Sequence, residues 1–369
     1  MEIGIVGAGF SGSVVARVLA ERGHRCNVFE SRDHVAGNCH TTIDTESSVV
    51  RHEYGPHIFH TSDSEVWGFV NRFCKFEPFE NRVKAIAQGQ FYSMPINLHT
   101  LSQFYGHPLT PEQARKRVSD DVVNFAGYPR NFEEQALSLM GPNLYQAFFY
   151  GYTKKQWGVE PSELPASILR RLPFRFTFND NYFNDTFQGI PEKGYTPMIV
   201  NMLDHENISV TLNAEIRRGD LKGMDHLFVS APLDCWYEYR LGQLRYRSLQ
   251  FEEFRFKGDF QGCPVVNYCD MDVPWTRITD HSRFSKQSET KSSLCFRETS
   301  SDFTPGTNDI RFYPMRLADD KLVLDRYLQL TASEPATTFL GRLGTYRYLD
   351  MHVAIREALD ASYKYLNQI

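Results

Sequence analysis

The chain opens on an apolar run, then Gly7-Ala8-Gly9-Phe10-Ser11-Gly12, an amphipathic run, and a second apolar run ending at Glu30. That order predicts a strand, a tight glycine turn, a helix and a second strand. From about Asn97 to Ile168 β-branched runs are scarce. Pro111 stands near one helix start, and Asn131 precedes another that carries Glu133 and Glu134 early, which predicts a small helical unit. Alternation and aromatics dominate Leu172–Ile190 and Leu241–Met315, where Phe174–Phe178 and Pro264–Tyr268 read as strands of period two. Gly194–Asp204 predicts a helix, His226–Ser230 a short buried strand, Thr338–Arg342 a strand and turn, and Met351–Leu366 a closing amphipathic helix. Ser285–Gly306, polar and rich in Ser and Thr, predicts a surface loop, and no internal repeat appears.

These elements predict an α/β protein. A Rossmann-like dinucleotide-binding domain draws on both ends of the sequence, 1–75 with 190–240 and 318–369. A helical domain takes 96–166, and an antiparallel sheet domain for substrate takes 76–95 with 167–189 and 241–317.

The glycine turn carries the first chemistry. Gly7 permits the sharp turn, Gly9 lets the backbone approach a pyrophosphate, and Gly12 lets helix and strand pack. Free N–H groups and the helix dipole favour an anion there. Glu30 stands at the spacing of a ribose-hydroxyl acceptor, and Arg32–Asn38 continues the site, with Ala36 where a glycine is usual. An adenine dinucleotide is the expected ligand.

Composition narrows the rest. The net charge of −5 over 369 residues argues against nucleic acid as a partner. No apolar run is long enough to span a bilayer, and the N-terminus enters a strand directly, so a cytoplasmic protein without membrane insertion is expected. Seven cysteines, with no CxxC, fit reduced thiols and neither a disulfide frame nor a zinc site. With 28 Phe, 19 Tyr and 4 Trp, a ring-lined cavity is as natural an outcome as a large core.

Three constellations are candidates for function. His57 and His60 share one loop and fit three roles: metal ligands without further ligands spaced to help, packing groups, or partners of a flavin ring. Phe148–Gly158 is dense in rings beside Thr153 and Gln156, which suits either a helix end packed into core or a stacking slot for a base. Arg170, Arg171, Arg175, Arg245, Arg247, Arg277, Arg342 and Arg347 recur in aromatic company, as solvated groups or as a pyrophosphate clamp. No GxSxG, Walker A, HExxH or second glycine-rich βα turn is present.

Over nearly its whole length the chain resembles bacterial UDP-galactopyranose mutases. The resemblance is carried by the dinucleotide motif, Tyr54–Thr61, Glu134-Gln135-Ala136, Gly151–Gly158, Arg175–Pro191, Tyr246–Leu249, Thr276-Arg277-Ile278 and Gly341–Met351. Asn181-Tyr182-Phe183 with Gln188–Pro191, and Gly341-Arg342-Leu343 with Tyr348–Met351, are its most specific strings.

The resemblance implies a ring contraction of a nucleotide sugar without net redox change. FAD, active when reduced by a reductant not yet identified, attacks the anomeric carbon through N5 and displaces UDP. It implies that Phe148, Phe149, Tyr152 and Trp157 line the uridine and ribose pocket, with Thr153 beside them. Arg171, on a lid between Pro165 and Pro173, would swing onto the diphosphate, and Arg277, Tyr182, Tyr313 and Tyr348 would hold its other oxygens. Asn81, Arg247 and Asn267 would face the sugar. The cofactor site would comprise the glycine motif with Phe10 and Ser11, then Glu30, Ser31, Asn38, His57, Ile58, His60, Arg342, Asp350 and the Met351 N–H. Arg171, Arg277, His60, Tyr313 and Tyr348 would carry the catalysis, no metal is expected, and a homodimer serving cell-surface polysaccharide synthesis is implied.

Two strings depart from the pattern. Met315-Arg316 follows Tyr313-Pro314, and Arg82-Val83-Lys84-Ala85 follows Asn81. Arg316 is therefore a candidate substrate contact, and UDP-N-acetylgalactosamine or a dTDP-6-deoxyhexose such as dTDP-fucose stands as an alternative substrate. The same N-terminal motif would also serve an FAD oxidoreductase of amine-oxidase type, and the ring slot alone would serve a silent sugar-nucleotide binder.

Overall fold

The computed structural model describes residues 1–171, 174–284, 292–307 and 309–369, without the side chains of Arg170 and Arg171. Glu2–Val6 is the middle strand of a five-stranded parallel sheet, ordered Ile208–Thr211, Arg25–Phe29, Glu2–Val6, His226–Val229 and Thr337–Phe339. Ile3 pairs with Cys26 on one side and His226 on the other, so strands distant in sequence close one sheet. The apolar middle strand, Ile3–Val6, is buried on both faces, while the edge strand Ile208–Thr211 is largely exposed. Helices Phe10–Ala20, Tyr195–Leu203 and Met351–Leu366 share the core of Ile3, Ile5, Val14, Met198 and Ile355. Val6 and Val229 pack in a second cluster with Trp236, Tyr237 and Tyr327.

A seven-stranded sheet runs Tyr313–Pro314, Tyr246–Lys257, Ser292–Asp302, Arg277–Asp280, Val265–Tyr268, Val83–Ala87 and Gln90–Met94. Its pairs are antiparallel except Val265–Tyr268 against Val83–Ala87, which is parallel. Phe59–Thr61, Phe187–Pro191 and Phe76–Pro78 form a small antiparallel sheet. Helices Leu98–Phe104, Pro111–Asp121 and Phe132–Tyr145 occupy the expected helical stretch. Thr110 caps one of them, and the Asn131 side chain accepts from the Glu134 N–H of another. A π-turn, Gln146–Tyr150, re-aims the last helix into Gly151–Trp157, which carries the ring-rich motif.

Two expectations fail. Phe174–Phe178 is a bent loop, not a strand. Arg175 N–H and the Thr177 carbonyl bond to Ile96 and Leu98, but the Arg175 guanidinium gathers the Asn179 and Asn181 carbonyls and Asn184 Oδ1, which curls the segment back. Ser285–Gly306 is not a surface loop throughout, because Ser292–Asp302 is a strand paired antiparallel with Arg247 through Lys257. Its Leu294, Cys295, Phe296 and Glu298 are buried, so tertiary pairing outweighs the polar composition. Residues 285–291 lie outside the described residues. The helix Ala318–Ala332 had no counterpart among the predicted elements. Among the described residues no helix is long and apolar enough to cross a membrane.

Candidate active site

The glycine turn separates packing from function. A Cβ on Gly12 would lie 1.9 Å from the Gly7 carbonyl oxygen, and one on Gly7, where φ is +102°, would lie 2.2 Å from Ser230 Oγ. A Cβ on Gly9 would meet nothing nearer than Gly37 Cα at 3.9 Å. Protein packing therefore requires glycine at positions 7 and 12 but not at 9, whose bareness suits a ligand's close approach. Gly9 caps the helix without a side-chain bond, so the first-turn N–H groups around Phe10 and Ser11 face that opening.

Glu30 is already engaged. Its Oε2 accepts from the Ala8 N–H at 2.8 Å and its Oε1 from the Arg32 N–H at 3.0 Å. Ser31 is exposed, and its hydroxyl donates to Glu30. The Ala36 N–H bonds the Ala8 carbonyl and joins the second segment to the first. Ala36 adopts φ +75°, the left-handed conformation a glycine would take without strain. Arg32 lies over the Tyr54 ring at 4.8 Å and donates to Asn38 Oδ1, while its Nη1 is buried without a partner among the described residues.

The chain's end returns to the same turn. Gly341, at φ +70°, would place a Cβ 2.9 Å from Ser11 Oγ. Arg342 donates to the Phe312 and Leu349 carbonyls at 3.1 and 2.7 Å. Its guanidinium covers Tyr348 at 4.8 Å and Tyr313 at 5.5 Å, and those two rings stack 5.2 Å apart. Asp350 caps the final helix, which Met351 begins, so the Met351 N–H belongs to its unbonded first turn.

Arg277 lies beside these rings. It is held by Glu298, with Nε to Oε2 at 2.7 Å, and Glu298 is only 1% exposed. Burial works against the Arg277 charge, but Glu298, Tyr152 and Tyr313 outweigh it and keep the guanidinium charged far into base. Burial drives the Tyr152 phenol well up against the pull of Arg277, with Glu298, Tyr182 and Tyr313 adding to the rise. Burial raises Tyr313 likewise, Tyr348 adding and Arg277 opposing. Both phenols stay neutral donors beside two guanidinium groups, an array suited to phosphate oxygens.

Other expected residues fall into distinct places. Trp157 packs 6.1 Å from Tyr313, and Thr153 is buried beside it on the same helix. Phe148 and Phe149 are buried, Phe148 edge-on to Tyr92 in the helical core. Asn267 stands opposite Arg277 in register. Asn81 is buried, its carbonyl accepts from the Tyr182 N–H, and its Oδ1 has no partner among the described residues. Arg247 is buried and spent on protein partners: Asp302, Ser300 Oγ and the Gln156 carbonyl. Arg316 is exposed on a left-handed backbone, and Arg82 is exposed and paired with Glu80 and Asp180. The side chain of Arg171 and residues 172–173 of the expected lid lie outside the described residues.

The two histidines differ. Burial, then Arg342, lowers His57 to about 4, so it is neutral and its Nδ1 donates to the Gly55 carbonyl at 2.8 Å. His60 stacks on Phe183 at 3.7 Å and bonds Asp185 through Nδ1 at 2.6 Å. Ile58 between them is buried. Among the described residues no three His, Cys, Asp or Glu side chains converge as metal ligands. Sequence reading missed Asp185, and it missed Glu298, which sits in the stretch read as loop.

Fold and site together define a dinucleotide-type enzyme with a second cluster of rings and guanidinium groups beside the glycine turn. A family model described as UDP-galactopyranose mutase matches residues 147–348, and one described as NAD(P)-binding Rossmann-like domain matches 5–73. The chain belongs to the UDP-galactopyranose mutase family, and it is an isomerase that works with a flavin. It is 51% identical over 365 residues to a "Probable UDP-galactopyranose mutase" of Klebsiella pneumoniae, covering 99% of this chain and 94% of that one. It is 45% identical to a "dTDP-fucopyranose mutase" of Escherichia coli, covering 98% and 97%. A crystal structure of reduced UDP-galactopyranose mutase shares the fold at TM-score 0.80 and 17% identity, covering 100% of this chain and 96% of that one. A putative protoporphyrinogen oxidase shares it at 0.66 and 12% identity, covering 98% and 99%.

Proposed function

We propose that this chain interconverts UDP-galactopyranose and UDP-galactofuranose, with reduced FAD as its cofactor. The observation that carries the reading is the array of Arg277, Arg342, Tyr152, Tyr313 and Tyr348 beside a dinucleotide cradle left bare at Gly9. Reduced FAD would supply an electron-rich nitrogen as the nucleophile, held by the residues described next.

The chain's own residues do the rest. The Gly9 backbone and the Phe10–Gly12 N–H groups would hold the cofactor's pyrophosphate. His57, neutral and fixed through Gly55, and His60, oriented by Asp185, would stand against the flavin. Trp157 and Tyr152 would line the nucleotide slot, and Arg277 would hold the diphosphate while charge develops on the departing UDP. Asn81 Oδ1, buried without a partner among the described residues, would accept from a sugar hydroxyl.

Galactose is favoured because Arg82 and Arg316, the guanidinium groups that suggested another sugar, are exposed. The relative named dTDP-fucopyranose mutase makes dTDP-fucose the competitor to assay. Reduced protein is offered UDP-galactose, UDP-N-acetylgalactosamine and dTDP-fucose in parallel, and furanose products are separated by chromatography. UDP-galactose turns over fastest under this reading. Faster conversion of either competitor overturns the assignment of the sugar.

A further inference from the structure

Lys155 belongs to the ring-rich motif, yet its side chain leaves the substrate chamber. Its Nζ lies 2.8, 2.6, 3.2 and 3.0 Å from the backbone carbonyl oxygens of Tyr268, Asp270, Val273 and Trp275. An ammonium has three protons, so four carbonyls saturate it and at least one proton is shared. Inward-pointing carbonyls around one compact charge are the oxygen set a dehydrated monovalent cation takes. Tyr268 ends strand Val265–Tyr268, and the other three lie in the turn that leads from it to strand Arg277–Asp280.

The helix and that turn are otherwise in direct contact. A Cβ on Gly151, four residues before Lys155, would lie 2.3 Å from the Cys269 carbonyl oxygen. The helix Gly151–Trp157 carries Tyr152, Thr153 and Trp157, and the turn leads within two residues of Trp275 to Arg277. Burial lowers the Lys155 pKa, with Cys269, Asp272 and Asp270 opposing, so the group is tied to this turn electrostatically as well as by hydrogen bonds.

We infer that Lys155 is a positioning residue that acts as a tethered monovalent cation, locking the turn before Arg277 onto the helix that carries Tyr152 and Trp157. The ring slot and the phosphate clamp then keep a fixed separation before any nucleotide arrives. That pre-organisation lowers the cost of ordering the site on binding. The inference rests on the chamber being the nucleotide-sugar site.

The test uses the full FAD-loaded chain and UDP as the probe. Lys155→Ala is expected to weaken UDP binding about tenfold or more, as loss of charged hydrogen bonds does, with an unchanged flavin absorption spectrum. KM rises more than kcat falls. Potassium, ammonium or methylammonium, at constant ionic strength, restores UDP affinity in Lys155→Ala and leaves wild type unaffected. Lys155→Arg, whose planar fork cannot converge on four carbonyls, folds but binds UDP weakly. UDP binding in Lys155→Ala as tight as in wild type, or a loss that no monovalent cation relieves, overturns the inference. If Lys155→Ala fails to fold, Lys155→Arg decides, and wild-type affinity in that variant overturns it. Failure of wild type itself to bind UDP would instead count against the nucleotide-sugar reading.

Discussion

A methyl group at Gly9 and one at Gly12 test different things. Gly9→Ala meets no protein atom nearer than 3.9 Å and keeps a φ of −80°, so apoprotein stability should change by less than about 1 kcal/mol. FAD affinity should fall, because the methyl occupies the cradle. Gly12→Ala drives a Cβ into the Gly7 carbonyl and should cost about 3 kcal/mol or more, visible in urea unfolding of the apoprotein. Equal stability losses in both variants would remove the functional reading of Gly9. At this scale the motif glycines were legible, because each has one local geometric duty. Arg247 was not: its type suggested a phosphate ligand, and only the fold shows it spent on Asp302, Ser300 and the Gln156 carbonyl. Glu298 carried no signal either, since a single acid in a Ser- and Thr-rich stretch looks solvated.

Between elements, the strands Arg277–Asp280 and Ser292–Asp302 set the clamp, because their register puts Arg277 opposite Glu298. Arg277→Lys keeps a cation for Glu298 but loses the fork, so turnover of the reduced enzyme should fall about a hundredfold with FAD retained. Arg277→Ala should add an unfolding cost of about 3 kcal/mol, because it strands a buried carboxylate. Both effects are read from steady-state rates and urea titrations of the same samples, and wild-type turnover in Arg277→Lys would remove the guanidinium from the mechanism. Helices with a proline start or amphipathic spacing, Pro111–Asp121 and Met351–Leu366, were readable in advance. Phe174–Phe178 and Ser292–Asp302 were misread in opposite directions, since a strand is decided by its neighbours. The first has an arginine curling it, and the second an eleven-residue partner ladder.

Across the whole molecule, buried neutral histidines set an acid limit. Burial, then Arg51, lowers His281 to about 3 against the Val50 carbonyl, and it is 1% exposed. Its folded pKa lies below its unfolded value of 6.5, so the unfolded chain binds the extra proton in between. Stability is therefore full above pH 6.5 and falls as pH drops from there toward 3. By linkage the group contributes up to about 5 kcal/mol to that loss. His281→Asn should flatten this part of the pH–stability curve, measured by urea unfolding of the apoprotein from pH 7 downward. An unchanged slope would mean that His281 is protonated in the fold. The dinucleotide sheet fed from distant parts of the chain was legible because its motifs are short and local. The tether from Lys155 to four carbonyls was not, because backbone oxygens leave no mark on a sequence.

The most direct test follows one FAD-loaded preparation through a change of redox state with UDP-galactopyranose present throughout. No furanose should form while the flavin is oxidised, and it should appear, without net consumption of reductant, once dithionite has bleached the flavin. Product in the oxidised state, or steady oxidation of the flavin in step with sugar turnover, would contradict the account.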